Sequence, residues 1–240
     1  MAAPDLGACR LHLEAEIRRL RCKGCERVGT EDVPWPRPGA RLTRDLEDLI
    51  AFMAQRMDEA RAKNPKAQLR YRYVPYTRIS VQLKRAMIAA EDAKFVEHEG
   101  FDWEGIQRAM DRNLRRGKLV SGGSTLTQQV AKNLFLSGER SLLRKAQEAM
   151  LAAMLEAAMD KRRIFEIYLN VAEWGENVFG AEAAAHYYFG VSAANLAPDQ
   201  AARLAAMLPR PRYYDRNRGS AYLTNYSESI LEQMPAAQVP

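Results

Sequence analysis

The stretch Gly122-Gly123-Ser124-Thr125-Leu126-Thr127-Gln128-Gln129-Val130-Ala131-Lys132-Asn133 reads as a flexible loop running into a helix. Two glycines free the backbone ahead of a Ser/Thr-rich start. Thr125-x-x-Gln128 then has capping-box spacing, in which the N-cap hydroxyl and the N3 side chain each satisfy the other's backbone amide. A helix start presents unpaired N–H groups and the positive end of the helix dipole, and both attract anions. Lys132, about two turns further on, adds a full positive charge. Two readings stand at this point: a phosphate or pyrophosphate cradle, and an ordinary capped helix behind a loop.

Outward from this run the pattern stays helical. Segments near 80–95, 103–116, 124–136, 141–159, 162–170, 179–189, 197–208 and 219–234 are separated by turns marked with Gly, Pro or Asn. Alanine and methionine are plentiful and β-branched residues sparse, which favours helix. Only Leu69–Val74 alternates in the manner of a short strand. The expectation is an all-α, mainly helical domain with at most one short β element. A helix from about Thr43 to Asn64, stopped by Pro65, carries Leu46, Leu49, Ile50, Met53 and Met57 on one face. That face either packs on the domain or lies at a membrane surface as an amphipathic helix over 45–64. Residues 1–40 close on Pro34-Trp35-Pro36-Arg37-Pro38-Gly39 and read as an N-terminal extension and linker, leaving 41–240 as one domain.

The chain has 240 residues, 47% of them hydrophobic, enough for one substantial core. Its net charge of +6 and pI near 9.3 point to an anionic partner: nucleic acid, anionic lipid or a phosphorylated substrate. No apolar run approaches the roughly twenty residues of a membrane-spanning helix, and Met1–Arg10 lacks the apolar segment of a signal peptide. The 3 cysteines, Cys9, Cys22 and Cys25, include a CxxC pair. With only Cys9 and His12 as further donors, a zinc site is not expected.

Three constellations carry chemistry. In the helix behind Ser80, Glu91 falls beside the apolar stripe of Leu83, Met87 and Ile88, where desolvation raises a carboxyl pKa and nearby cations lower it. Such a residue is a general base or a structural ion-pair partner. Asp92, His98 and Asp102 follow in Glu91-Asp92-x-x-Phe95-x-x-His98-x-Gly100-x-Asp102; three carboxylates and a His on a turn read as a hydrogen-bonded scaffold before they read as metal ligands. Arg140, Arg144 and Glu148 stand at i, i+4 and i+8, on one helix face with Lys145 beside them. This is either a surface ion network or a guanidinium grip on phosphate oxygens. The last block runs from Lys161 to Gly180. Most of it is architecture, with Gly175 and Gly180 freeing a turn and Asn170, Glu173 and Trp174 nearest to any substrate.

Taken in order, these blocks resemble the peptidoglycan glycosyltransferase family, whose members polymerise lipid II. The resemblance rests on the Glu91–Asp102 pattern, Gly122–Lys132, Arg144-Lys145-x-x-Glu148, Arg163-Ile164-x-Glu166-x-Tyr168-Leu169-Asn170, and the helix around Gln200–Leu208 ending in Pro209. It covers the chain from about Asp45 onward, and its length and Val171-Ala172-Glu173-Trp174-Gly175 wording resemble the monofunctional branch. The resemblance implies a lysozyme-like helical fold. It implies Glu91 as the base acting on the 4-hydroxyl of the acceptor sugar, and Glu148 as a second essential carboxylate. Lys132, Arg140, Arg144 and Lys145 would bind pyrophosphate, with Ser124, Thr125, Gln128, Gln129 and Asn133 along the donor side. Asp92, Phe95, His98, Gly100, Asp102, Asn170, Gly175 and Gly180 are then structural.

By the same resemblance no cofactor is required, and a divalent cation (Mg or Mn) is at most an aid to the leaving group. The expected partners are lipid II, the growing glycan strand, the membrane surface and other cell-division or cell-wall synthesis proteins, with no nucleic acid. The expected place is the outer, periplasmic face of the bacterial inner membrane. Members of the monofunctional branch are expected to carry a membrane-spanning helix ahead of the domain. Residues 1–40 supply none, so membrane contact is expected from a segment upstream or from the 45–64 helix and the basic surface. Two other functions fit parts of the pattern. A lysozyme-like glycoside hydrolase needs two carboxylates but no cation cluster. A non-catalytic lipid II-binding scaffold needs neither Glu91 nor Glu148.

Overall fold

Ser80, Thr125, Ser141 and Asp160 each accept a hydrogen bond from a backbone amide two or three residues ahead, and a helix starts behind each of them. The computed structural model describes residues 12–13, 20–21, 52–62, 64–116, 123–136 and 141–240. In chain order the helices are α1 (52–62), α2 (Val81–Glu91), α3 (Trp103–Arg116), α4 (Leu126–Phe135) and α5 (Leu142–Ala158). They continue with α6 (Lys161–Val171), α7 (Ala181–Phe189), α8 (Pro198–Met207), α9 (Pro211–Arg216) and α10 (Ala221–Gln233). The expected mainly helical class is the observed one, but its β content exceeds the one short element expected: among the described residues five short strands form two small sheets. The expected 1–40 extension, with Cys9, Cys22 and Cys25, lies outside the described residues except for two paired strands, β1 (His12–Leu13) and β2 (Leu20–Arg21). Leu46, Leu49, Ile50, Gly122 and Arg140 also lie outside them.

Two groups of helices share one core. α2 packs against α8 and α10, while α4 packs between α5 and α6. Leu83, Met87 and Ile88 of α2, Leu126 of α4, Phe165 of α6 and Leu204 of α8 are fully buried in it. Burial of such side chains stabilises by about 1.5–3 kcal/mol each. α1 joins through Phe52 and Met53, both buried; the Phe52 ring meets Phe179 edge-on at 6.0 Å. Met53, one of the face residues read from the sequence, is therefore a packing residue.

A small sheet seals the far end. β3 (Arg70–Tyr71) runs parallel to β5 (Val178–Phe179), and β5 pairs antiparallel with β4 (Glu173–Gly175). Asn170, fully buried, holds the chain ahead of α2: its Oδ1 accepts from Val74 N and its Nδ2 donates to Val74 O, both at 2.9 Å. Gly180 sits at φ 81°, and a Cβ there would lie 2.9 Å from the Asn170 carbonyl oxygen. At Gly175 a Cβ would fall 2.4 Å from Tyr188 Oη, which donates to Trp174 O. Trp174 is fully buried and donates to Leu204 O, while Glu173 pairs with Arg212. The sequence placed Asn170, Glu173 and Trp174 nearest to substrate in this block. The structure instead spends Glu173 and Trp174 on holding β4 to α9 and α8, and Asn170 on holding the Val74 backbone to α6.

Candidate active site

Glu91 is the last residue of α2, where the buried stripe of that helix emerges. Its Oε2 accepts from Gln129 Nε2 at 2.7 Å, and Gln129 Oε1 accepts from Tyr168 Oη at 3.2 Å. Tyr168 is buried, and its hydroxyl pKa is pushed well up, first by burial and then by the Glu91 and Asp92 charges. It stays a donor, so the Gln129 amide has one orientation, with its NH2 toward Glu91. Burial raises the Glu91 pKa above its ordinary value. The Gln129 hydrogen bond and the Lys132 charge pull the other way, and Asp92 adds to the rise. A carboxylate held half-desolvated in this way is a proton acceptor with something to gain from accepting.

Asp92, the next residue, turns inward. Its Oδ1 lies 2.9 Å and its Oδ2 3.1 Å from His98 Nε2, and Oδ2 also accepts from Leu126 N at 3.0 Å. One carboxylate thus ties the end of α2 to the first turn of α4. Phe95 is buried against Phe165 at 5.7 Å, and Asp102 Oδ1 accepts from Gly105 N in the first turn of α3.

The start of α4 differs from the anion cradle that its sequence allows. The capping box is present: Thr125 N donates to Gln128 Oε1 and Gln128 N to Thr125 Oγ1. Thr125 Oγ1 in turn donates to Gly100 O at 2.7 Å. With Leu126 N bound to Asp92, the amides of Thr125, Leu126 and Gln128 are all bonded inside the protein. Thr125 and Gln128 are buried and do not line the cleft. Both are therefore moved from the donor side to the scaffold, because they are buried and the cap binds the Thr125 hydroxyl and the Gln128 amide oxygen. Ser124, Gln129, Lys132 and Asn133 do line the cleft, which has a volume of about 800 Å³.

Its second wall is α5. Glu148 is only 2% exposed, and Lys145 Nζ makes a short hydrogen bond to its Oε1 while reaching Ser124 Oγ at 2.9 Å. Arg144 Nη1 stands 4.0 Å from Glu148 Oε2. Among the described residues Arg144 Nε is buried without a hydrogen-bond partner, and Lys132 Nζ makes no hydrogen bond or ion pair. Burial and the Arg144 and Lys145 charges lower the Lys132 pKa, with Glu148 and Glu91 opposing. Three cations therefore share one volume with Glu148 as their organising anion, and the cleft has spare positive charge for an anionic ligand. Among the described residues no three His, Cys, Asp or Glu side chains are grouped to hold a metal ion, and Glu148 faces cations. The donor set does not fit a dedicated divalent site.

The third wall is a surprise. Gln55, Arg56 and Glu59 of α1 face the same cleft; Arg56 pairs with Glu59 at 2.8 Å and its guanidinium lies 5.1 Å from the centre of the Phe52 ring. The sequence drew attention to the apolar face of this helix. Nothing in the spacing of the opposite face sets Arg56 apart from an ordinary solvated arginine.

A family model described as Transglycosylase matches residues 58–235, from within α1 to the last 3-10 turn after α10. The chain belongs to the transglycosylase family. All three walls of the transglycosylase cleft, apart from residues 55 and 56, fall within the match. A biosynthetic peptidoglycan transglycosylase of Dechloromonas aromatica (strain RCB) is 61% identical over 189 residues, covering 79% of this chain and 82% of that protein. One of Janthinobacterium sp. (strain Marseille) is 59% identical over 190 residues, with the same coverage of both chains. One of Herminiimonas arsenicoxydans is 58% identical over 193 residues, covering 80% of this chain and 84% of that protein.

Proposed function

We propose that this transglycosylase polymerises lipid II into β-1,4-linked glycan strands for the bacterial cell wall. The observation that carries this reading is a desolvated carboxylate, Glu91, bonded through Gln129 to a helix whose next turn brings Lys132 into a cleft that Arg56, Arg144 and Lys145 also line. The Glu91 carboxylate takes the proton of the acceptor's 4-hydroxyl, and that oxygen forms the new bond to C1 of the donor sugar. The bond from C1 to the pyrophosphate oxygen breaks, and its electron pair leaves with undecaprenyl pyrophosphate. Attack from the opposite face inverts an α-linked donor to a β bond. Lys132, Arg144 and Lys145 neutralise the charge that grows on the leaving group, which is where fixed cations speed a reaction most. Glu148 keeps these cations in place, and Ser124 and Asn133 line the donor side. No step is routed through a metal.

A polyprenyl-linked substrate must be drawn from a bilayer. Among the described residues no helix is long and apolar enough to cross one. α3 instead exposes Trp103 (72%), Met110 and Leu114 (75%) at i, i+7 and i+11, one stripe of the helix, with Arg108 and Arg115 exposed on another side of it. α5 likewise exposes Leu143, Met150 and Met154. Interfacial helices have this composition. It supports a catalytic domain, read as 41–240 behind a 1–40 extension, that rests on a bilayer; a cell-wall substrate puts that bilayer face on the outside of the inner membrane.

The test is direct. Purified protein given detergent-solubilised lipid II yields glycan that lysozyme digests, and Glu91→Gln lowers the rate by about 10²-fold or more. Polymerisation by that variant at the normal rate would remove Glu91 from the mechanism.

A further inference from the structure

Four tyrosines form a ladder that ends beside Glu91, and the reaction as derived uses none of them. Tyr213 and Tyr214 of α9 meet edge-on at 5.2 Å. Tyr214 stacks on Tyr222 of α10 at 6.2 Å with the planes 5° apart, and Tyr222 lies 5.9 Å from Tyr226. Tyr226 Oη is 3.4 Å from the carbonyl oxygen of Ala90, the residue before Glu91. Tyr222 and Tyr226 stand at i and i+4 on one face of α10, a helix fixed by packing on α2 and α8. Tyr214 is buried and sets the spacing, whereas Tyr213 is 43% and Tyr222 61% exposed. Exposed Thr224 and Asn225 lie beside Tyr222 in sequence.

We propose that Tyr213, Tyr222 and Tyr226 form a track that holds the growing glycan strand next to the base. The proposal rests on the polymerase reading of the cleft and adds where the uncharged part of the substrate lies. Pyrophosphate belongs with the cations on the Gln129 and Lys132 side of Glu91. The sugars carry no such charge, and a pyranose ring offers a flat face of C–H groups that packs on an aromatic ring. Tyrosine supplies that face together with a polar edge for water and hydroxyls, at little cost in side-chain entropy. Stacking is tolerant of register, as on the platforms that bind single strands of nucleic acid. A strand held this way advances by one disaccharide per cycle without breaking a fixed set of directional bonds.

The test uses the full chain and chitotetraose, a neutral β-1,4-linked N-acetylglucosamine oligomer, titrated by saturation-transfer NMR. The wild type binds it; Tyr222→Ala binds about tenfold more weakly, the loss expected of one aromatic contact. Tyr222→Phe keeps the ring and stays within about twofold, and so does Leu231→Ala, exposed on the opposite side of α10. Thermal midpoints of the variants check that the fold is intact. In the lipid II reaction Tyr222→Ala yields shorter strands than Tyr222→Phe. No binding by the wild type, or equal binding by Tyr222→Ala, overturns the track. Binding lost equally in the Phe and Ala variants assigns it to the hydroxyl and overturns stacking. Failure of the polymerase reading looks different: no glycan from lipid II, with chitotetraose binding intact.

Discussion

At the scale of single residues, the chemistry of this site depends on how Glu91 is surrounded. Burial lifts its pKa above the ordinary 4.5 while Gln129 and Lys132 hold it down. A base works only when deprotonated, so the acid limb of kcat/KM against pH lies above 4.5. Gln129→Ala removes a bond that favours the charged form, and the limb then moves to still higher pH. A limb that stays put, or moves toward acid, would show that Gln129 does not tune the base. The stability consequence has the opposite use. Because the folded pKa is the higher one, protonation of Glu91 stabilises the fold; this contribution is complete below the unfolded value and is lost as pH rises through the folded value. At pH 7 the neutral isostere Glu91→Gln therefore melts at a higher temperature than the wild type, while polymerisation falls by about 10²–10⁴-fold. A lower melting temperature would mark Glu91 as an ion-pair residue of the scaffold. The place of Glu91 beside a buried stripe is legible in the spacing of Leu83, Met87 and Ile88. Its bond to Gln129, a residue thirty-eight positions away, is not, since only the packing of α4 against α6 brings Tyr168 and Gln129 into line.

Among the elements, α4 shows both what local sequence settles and what it leaves open. The capping box at Thr125 and Gln128 is plain in the spelling, and it is present. Whether its amides stay free for an anion depends on what else reaches them, and Asp92 and the box itself reach them first. Thr125→Ala removes the cap and the bond to Gly100 together, with an expected loss of about 1–2 kcal/mol in urea unfolding. A loss below about 0.5 kcal/mol would mean that the cap is dispensable. The helices between Ser80 and Gln233 follow their apolar periodicity except the short α9, which falls between two segments read from the sequence, and α6 and α7 lie close to theirs. The β4–β5 ribbon escapes such reading. Its strands are three and two residues long, too short to show alternation, and its glycines read as a turn. Its glycines are there for the close approach of Tyr188 and Asn170, contacts that no local pattern encodes.

Over the whole molecule, the proposed membrane contact combines the charge of +6 with the outward stripes of α3 and α5. Trp103→Ser and Leu114→Ser are expected to lower partitioning onto vesicles containing phosphatidylglycerol by about tenfold or more each, since each side chain gives up roughly 1.5–3 kcal/mol of burial in the bilayer. Because both are exposed, their thermal midpoints stay near the wild-type value; unchanged partitioning with unchanged midpoints would place the bilayer on another face. Sequence gives no way to foresee this surface. An apolar stripe on a helix ordinarily predicts packing, and that holds for Phe52 and Met53 of α1 but not for Trp103 and Leu114. Which stripe stays uncovered is decided by the number of neighbours that the fold supplies.

Glu91 and Asp92 share one peptide unit and turn opposite ways, one to Gln129 and the other to the amide of Leu126. Glu91 and the helix that carries Lys132 are thus riveted together through adjacent residues. Because Leu126, Gln129 and Lys132 all belong to α4, a change at the Asp92 anchor is felt at Glu91 and at Lys132 together.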